Sequence, residues 1–171
     1  MNDMNNSNTI ALGIDPGKDG AMAVMYPPVD GVPQVRFMPF DKKEAVNLCD
    51  CVRFAIAENN KFGVDGGLRV LCILEHVGAM PGQGSVSMFH FGENFGWWQG
   101  VLDAFRIPYE LARPQKWKKE FSCTSDKNTS IEVAQRMFPN ADLRRTPKCK
   151  GPHDGICEAL LMAEYARRRL G

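Results

Sequence analysis

The sequence predicts an α/β fold, a mixed five-stranded sheet with helices on both faces. Residues 8–40 hold three short apolar runs separated by turn residues, the pattern of consecutive antiparallel strands. The run "LRVLCILE", residues 68–75, is apolar without alternation and lies between two helix-like segments, as a buried parallel-type strand does. Hairpins first and crossover helices later imply a mixed sheet covered on both sides.

Taken in order, "NTIALGID" (8–15) is the first strand and "GAMAVMY" (20–26) the second, joined through a glycine-bearing turn as a hairpin. "PPVDGVP" reads as a turn and "QVRFMPF" (34–40) as a third strand. Ala45, Val46, Leu48, Val52, Phe54, Ala55 and Ile56 then fit a helix over residues 42–60, which "FGVDGG" ends. After the fourth strand and the glycine-rich "HVGAMPGQGS", residues 85–105 form a long aromatic helix. "IPYELARP" is the fifth strand and "PQKWKKEF" a short basic helix. "TSDKNTSIEVAQRMF" is an amphipathic helix with cap candidates Thr124, Ser125 and Asp126. "NADLRRTPKCKGP" is a basic loop, and residues 154–170 are the last helix.

A chain of 171 residues with 44% hydrophobic content suits a single domain over 1–171, with residues 1–8 as a flexible tail. The N-terminus has neither the basic nor the apolar region of a signal peptide, and no apolar run approaches the ~20 residues of a membrane span. The expectation is a cytoplasmic protein with no membrane partner. The six cysteines show no Cys-x-x-Cys spacing, which argues for reduced thiols rather than zinc ligands. Residues 1–106 carry 8 Lys and Arg against 12 Asp and Glu, whereas residues 107–171 carry 13 against 8. The basic C-terminal third implies a face that meets an anion, or else a solvated helix surface.

Asp15 closes the first strand and Glu75 the fourth. Side by side in one sheet they would be costly unless something neutralised them. Asp154 and Glu158 are four apart at the start of the last helix and therefore share a face. Taken alone that pair could reflect only the helix dipole. Two acidic strand ends and an acidic helix start together suggest a cation site. Oxygen donors suit magnesium or manganese, and two such ions ~3.5–4 Å apart serve in-line phosphoryl displacement.

"GIDPGKDGAMAV", "LEHVGAMPGQG" and "HDGICEALLMAEYARR", in this order, resemble the RuvC-like Holliday junction resolvases of the ribonuclease H superfamily. "WWQGVL" and "RPQKWKKEF" are most similar to the branch of chloroplast and related phage or bacterial resolvases. The resemblance covers residues 9–169. It implies a ribonuclease H-like fold and a crossover junction endodeoxyribonuclease, a homodimer that resolves four-way DNA junctions with two Mg2+ or Mn2+ ions per active site. Its metal ligands and catalytic acids fall on Asp15, Glu75, Asp154 and Glu158. Glu158 departs from most bacterial RuvC proteins, which have aspartate there, but not from the chloroplast-like branch. With no plastid transit peptide, a bacterial or phage-infected cell is the expected setting.

Met80 and Gln83, just beyond Glu75, are candidates to wedge into or read bases, unless their loop is simply a connector. Arg113, Lys116, Lys118 and Lys119 flank Trp117, and Arg144, Arg145, Lys148 and Lys150 precede Asp154. Both groups are candidate phosphate contacts. His153 either orients water or a proton, or caps the last helix. The aromatics from Phe89 to Trp98 exceed what one buried face needs, so core plus dimer interface is expected. Three other readings remain open. The same fold could cut flaps or other branched DNA, or bind junctions without cutting. "DPGKDG" also resembles the phosphate loop of actin-like kinases, which need two such domains.

Overall fold

The computed structural model describes residues 8–30, 32–62, 67–76, 78 and 84–171, except the side chains of residues 33, 61 and 62. Met80 and Gln83 lie outside the described residues. The elements come in the expected order: β1 (Thr9–Asp15), β2 (Ala21–Val29), β3 (Val32–Pro39), α1 (Lys42–Phe62), β4 (Arg69–Glu75), α2 (Ser85–Ala104), β5 (Tyr109–Ala112), α3 (Pro114–Glu120), α4 (Lys127–Met137) and α5 (Asp154–Leu170). The strands form one sheet in the order β3-β2-β1-β4-β5. β1 pairs antiparallel with β2 and parallel with β4. β3 continues the antiparallel side and β5 the parallel side. The fold is therefore the expected α/β arrangement with a mixed five-stranded sheet.

Alternation along β1 divides the core. Ile10, Leu12 and Ile14 face one way and pack with Leu48 and Val52 of α1 and Trp98 and Leu102 of α2. Ala11 faces the other way, toward Ile156, Ala159, Leu160 and Ala163 of α5, with Trp117 of α3 and Ala134 of α4 in the same cluster. α5 is buried from Gly155 through Ala166, because the sheet lies on one side of it and α3 and α4 on the other. Its contact with β1 depends on Gly13. A Cβ there would lie 2.1 Å from the Ala159 carbonyl oxygen and 2.3 Å from the Ala163 nitrogen. Gly155 plays the same part at the helix start, where a Cβ would come within 2.6 Å of the Asp19 carbonyl oxygen. These two glycines let α5 lie against the end of the β1–β2 hairpin.

Several boundaries differ from expectation. β2 runs through Pro27 and Pro28 to Val29. The prolines are tolerated because pairing with β1 stops at Met25 and the register with β3 shifts between Tyr26 and Val29, so the ladder needs no N–H there. The turn comes at Asp30, whose φ of 52° is left-handed. β5 is only four residues long. The start of α4 does agree: it begins at Lys127, with the cap candidate Asp126 accepting from the Asn128 N–H. Asn8 is not part of a loose tail: its amide donates to the Gly67 carbonyl at 2.8 Å, and its own carbonyl accepts from the Arg69 N–H at 3.0 Å. Among the described residues, no helix is long and apolar enough to cross a membrane. Burial pushes the Cys49 and Cys157 thiols up to about 12, so they serve as small apolar fillers rather than nucleophiles.

Candidate active site

The register Ile14↔Leu74 puts the last residues of β1 and β4, Asp15 and Glu75, at the same end of adjacent parallel strands. Asp15 Oδ1 accepts from the Gly17 N–H at 2.9 Å, and a Gly20-to-Gly17 backbone bond of 3.0 Å closes the turn. The hairpin thus holds its aspartate at the C-terminal end of the central strand. Glu75 is 5% exposed, and its Oε1 accepts from the Trp117 indole N–H at 3.0 Å. β5 ends beside it and leads directly into α3, which explains how a tryptophan 42 residues away becomes its partner.

α5 brings the other two acids. Its start packs on the hairpin through Gly155, so Asp154 and Glu158 face the strand ends. Glu158 is 8% exposed and lies 2.6 Å from the Lys118 ammonium, with the Ser130 hydroxyl 3.4 Å from the same oxygen. Asp154 is paired with Lys127 at the first position of α4.

The charges confirm that these carboxylates feel one another. Burial first, and then the charges of Glu158 and Asp154, raise the Asp15 carboxyl to about 6 despite the Gly17 N–H and Lys127. Burial, Asp15 and Glu158 raise Glu75 to about 8, against the opposing pull of Trp117 and Lys118. Burial also acts on Asp154, but the Lys127 hydrogen bond and charge outweigh it and hold that carboxyl below its usual range.

An all-oxygen donor set with more carboxylates than ammonium groups is the chemistry that suits a hard divalent cation. Among the described residues, no three Asp, Glu, His or Cys side chains converge on one point as closed metal ligands do. Two of the four acids are held instead by Lys118 and Lys127. The residues fit such an ion in chemical type, with lysine ammoniums on Glu158 and Asp154 as the cations present.

The raised carboxyls make a pH prediction. Asp15 and Glu75 bind protons more tightly folded than unfolded, so their contribution to stability is complete below about pH 4 and is lost as pH rises toward about 8. In EDTA the protein should melt lower near pH 8 than near pH 5 by about 1 kcal/mol or more, with roughly 2–4 °C of Tm for each kcal/mol. Glu75→Gln should remove most of this slope, and an equal slope in that variant would place its origin elsewhere.

Of the expected phosphate contacts, Lys118 is already paired with an acid of the candidate site. Its side chain is 14% exposed and committed to Glu158, so it belongs to the acid cluster. Arg113, Lys116 and Lys119 are exposed on or just before α3, at the Glu75 end of the sheet. Arg145 donates to Asp19 at 2.8 Å and ties the basic loop to the β1–β2 turn beside Asp15. Arg144 is clamped within the loop by Asp142, and Lys148 and Lys150 are exposed. His153 is the cap of α5, its Nδ1 accepting from the Ile156 N–H at 3.3 Å, which leaves the ring proton on Nε2. Sequence reasoning missed Lys127 and the role of Trp117. Neither carries a local signal, because their partners lie 27 and 42 residues away.

No family model matches the chain, and no curated protein matches it. Among solved structures, the Thermus thermophilus RuvC in complex with a Holliday junction substrate is similar over 95% of this chain and 96% of that one, at 14% identity and a TM-score of 0.51. The yeast mitochondrial Holliday junction resolvase Ydc2 is similar over 96% of this chain and 79% of that one, at 12% identity and a TM-score of 0.52. The chain thus has the fold of the RuvC-type resolvases.

Proposed function

We propose that this chain is a divalent-cation-dependent endonuclease that cuts branched DNA, four-way junctions foremost, as a homodimer of the chloroplast-and-phage type. The observation that carries the reading is that Asp15 and Glu75 end the adjacent central strands β1 and β4 opposite the start of α5 with Asp154 and Glu158, where the Arg145 loop also docks. The likeness in fold to a RuvC bound to a junction substrate supports the substrate class.

Asp15 and Glu75, with Asp154 and Glu158 from α5, would hold the ions. A divalent ion held there would supply the positive charge that lowers the pKa of an attacking water and offsets the charge on the leaving oxygen. The chain's own groups do the rest. Trp117 fixes one oxygen of Glu75, and the Gly17 N–H fixes one oxygen of Asp15, so both carboxylates are aimed before substrate arrives. Lys118 and Lys127 balance acids that would otherwise repel DNA. Arg113, Lys116, Lys119, Arg145, Lys148 and Lys150 would grip phosphates to either side. Cleavage leaves a 5′ phosphate and a 3′ hydroxyl.

The test is a gel with labelled four-way junction, linear duplex and flap DNA, each with magnesium or EDTA. Junction cleavage in magnesium alone is expected. Preference for the flap would select the flap-nuclease reading, and binding without cleavage the non-catalytic one.

A four-way junction needs two opposed cuts, which a two-fold dimer supplies. The first turns of α2 expose Val86 at 69% and Phe89 at 70%, an apolar patch beyond what its own core uses. Phe91 is half-buried and stacks on Phe95 with centroids 6.3 Å apart, whereas the ring neighbour of Phe89 is the exposed His90, so Phe89 is the cleaner probe. Phe89→Asp should give folded monomers that nick junctions without paired incision. Light scattering that shows wild type already monomeric, free and on a junction, would refute the dimer.

A further inference from the structure

The basic loop encloses a pocket of about 310 Å³ between itself and the end of α4, lined among others by Gln135, Phe138, Leu143, Arg144, Lys150 and Pro152. Its cationic wall is built in an unusual way for a phosphate contact. Arg144 spends its Nε and one Nη on the two oxygens of Asp142, both at 2.7 Å, and donates its other Nη to the Pro147 carbonyl at 3.0 Å. The fork that would grip a phosphate is largely used inside the loop, although the side chain is still 40% exposed, and a guanidinium whose edge is occupied can interact further only through its face. The charge of Asp142 is cancelled by the same clamp, so Lys150 is the remaining cation of the lining. Phe138, Leu143 and Pro152 supply apolar walls, and Gln135 an amide with donor and acceptor edges. Planar walls, one amide and one outlying cation suit a nucleobase better than a bare anion.

The pocket is tied through the chain to the acid cluster at both ends. The loop that forms it ends at Asp154, with the His153 N–H bonded to the Leu143 carbonyl at 2.7 Å. α4 runs from Lys127, which touches Asp154, to the Phe138 wall, roughly 16 Å at 1.5 Å per residue. On the reading of the chain as a branched-DNA nuclease, we propose that this pocket receives one unstacked base of the bound strand, held between Arg144 and Phe138, and so helps select where the junction is cut.

Fluorescence anisotropy in EDTA, where cleavage cannot intervene, tests this with four-way junctions in which each nucleotide near the crossover is replaced in turn by an abasic site. At one position and its symmetry mate, wild type should bind fivefold or more weakly, the scale of one lost stack. Arg144→Lys keeps the charge but removes the planar face. It should bind intact and abasic junctions alike, at the weaker level. Phe138→Leu should do the same, and thermal melts separate any folding defect from this effect. Wild-type discrimination retained by Arg144→Lys would overturn the proposal. So would normal binding of the intact junction with no sensitive position, and that outcome would leave the nuclease reading standing. Failure to bind any DNA would overturn both.

Discussion

Asp15→Asn is expected to lower junction cleavage by about 10³-fold or more while junction binding stays within about twofold. The asparagine oxygen can still accept from the Gly17 N–H, so the hairpin keeps its shape. What is lost is the charge that would hold a divalent cation, and with it the activation of water. The variant has a second, opposite consequence. Burial and the neighbouring acids Glu158 and Asp154 raise the native carboxyl to about 6, so near pH 8 without cation its charge is a strain on the fold. The neutral amide removes that strain, and in EDTA the variant should melt higher than wild type. Single-turnover cleavage and thermal melts read the two effects separately. Retained cleavage in magnesium would refute the assignment of Asp15, and loss of both activity and melting temperature would show that its role is structural.

Gly13→Ala should cost about 3 kcal/mol or more, roughly 6–12 °C in Tm, although it adds a single methyl group to a β-strand. Alanine is a better strand former than glycine, and local propensity alone argues for stabilisation. The opposite is expected because the new Cβ would lie 2.1 Å from the Ala159 carbonyl oxygen and 2.3 Å from the Ala163 nitrogen, both backbone atoms that cannot rotate away. α5 would have to move off the sheet, carrying Asp154 and Glu158 with it. Cleavage should therefore fall further than the melting temperature accounts for at the assay temperature. A melt within about 1 °C of wild type would mean that the helix adjusts freely.

Much of the fold was legible because its signals are local. Alternation in β1, the unbroken apolar run of β4, the helical spacing of α1 and the cap of α4 each arise within a few residues. The misreadings have physical causes. Pro27 and Pro28 usually mark a turn, but β2 carries them where neither neighbouring strand asks for an N–H.

The candidate site divides along the same line. Which acids close β1 and β4, the shared helix face of Asp154 and Glu158, and the basic loop that runs into that helix could all be read from the residues in order. That is because strand ends, helix periodicity and charge runs are properties of neighbouring residues. Only the tertiary structure decided that Lys118 serves Glu158 rather than solvent or DNA, that Lys127 pairs with Asp154, that Trp117 orients Glu75, and that Arg144 turns its edge inward to Asp142. The first three partners are 40, 27 and 42 residues apart in the chain. They meet because Gly13 and Gly155 let α5 approach the sheet, a condition of steric fit between backbones that no local pattern encodes.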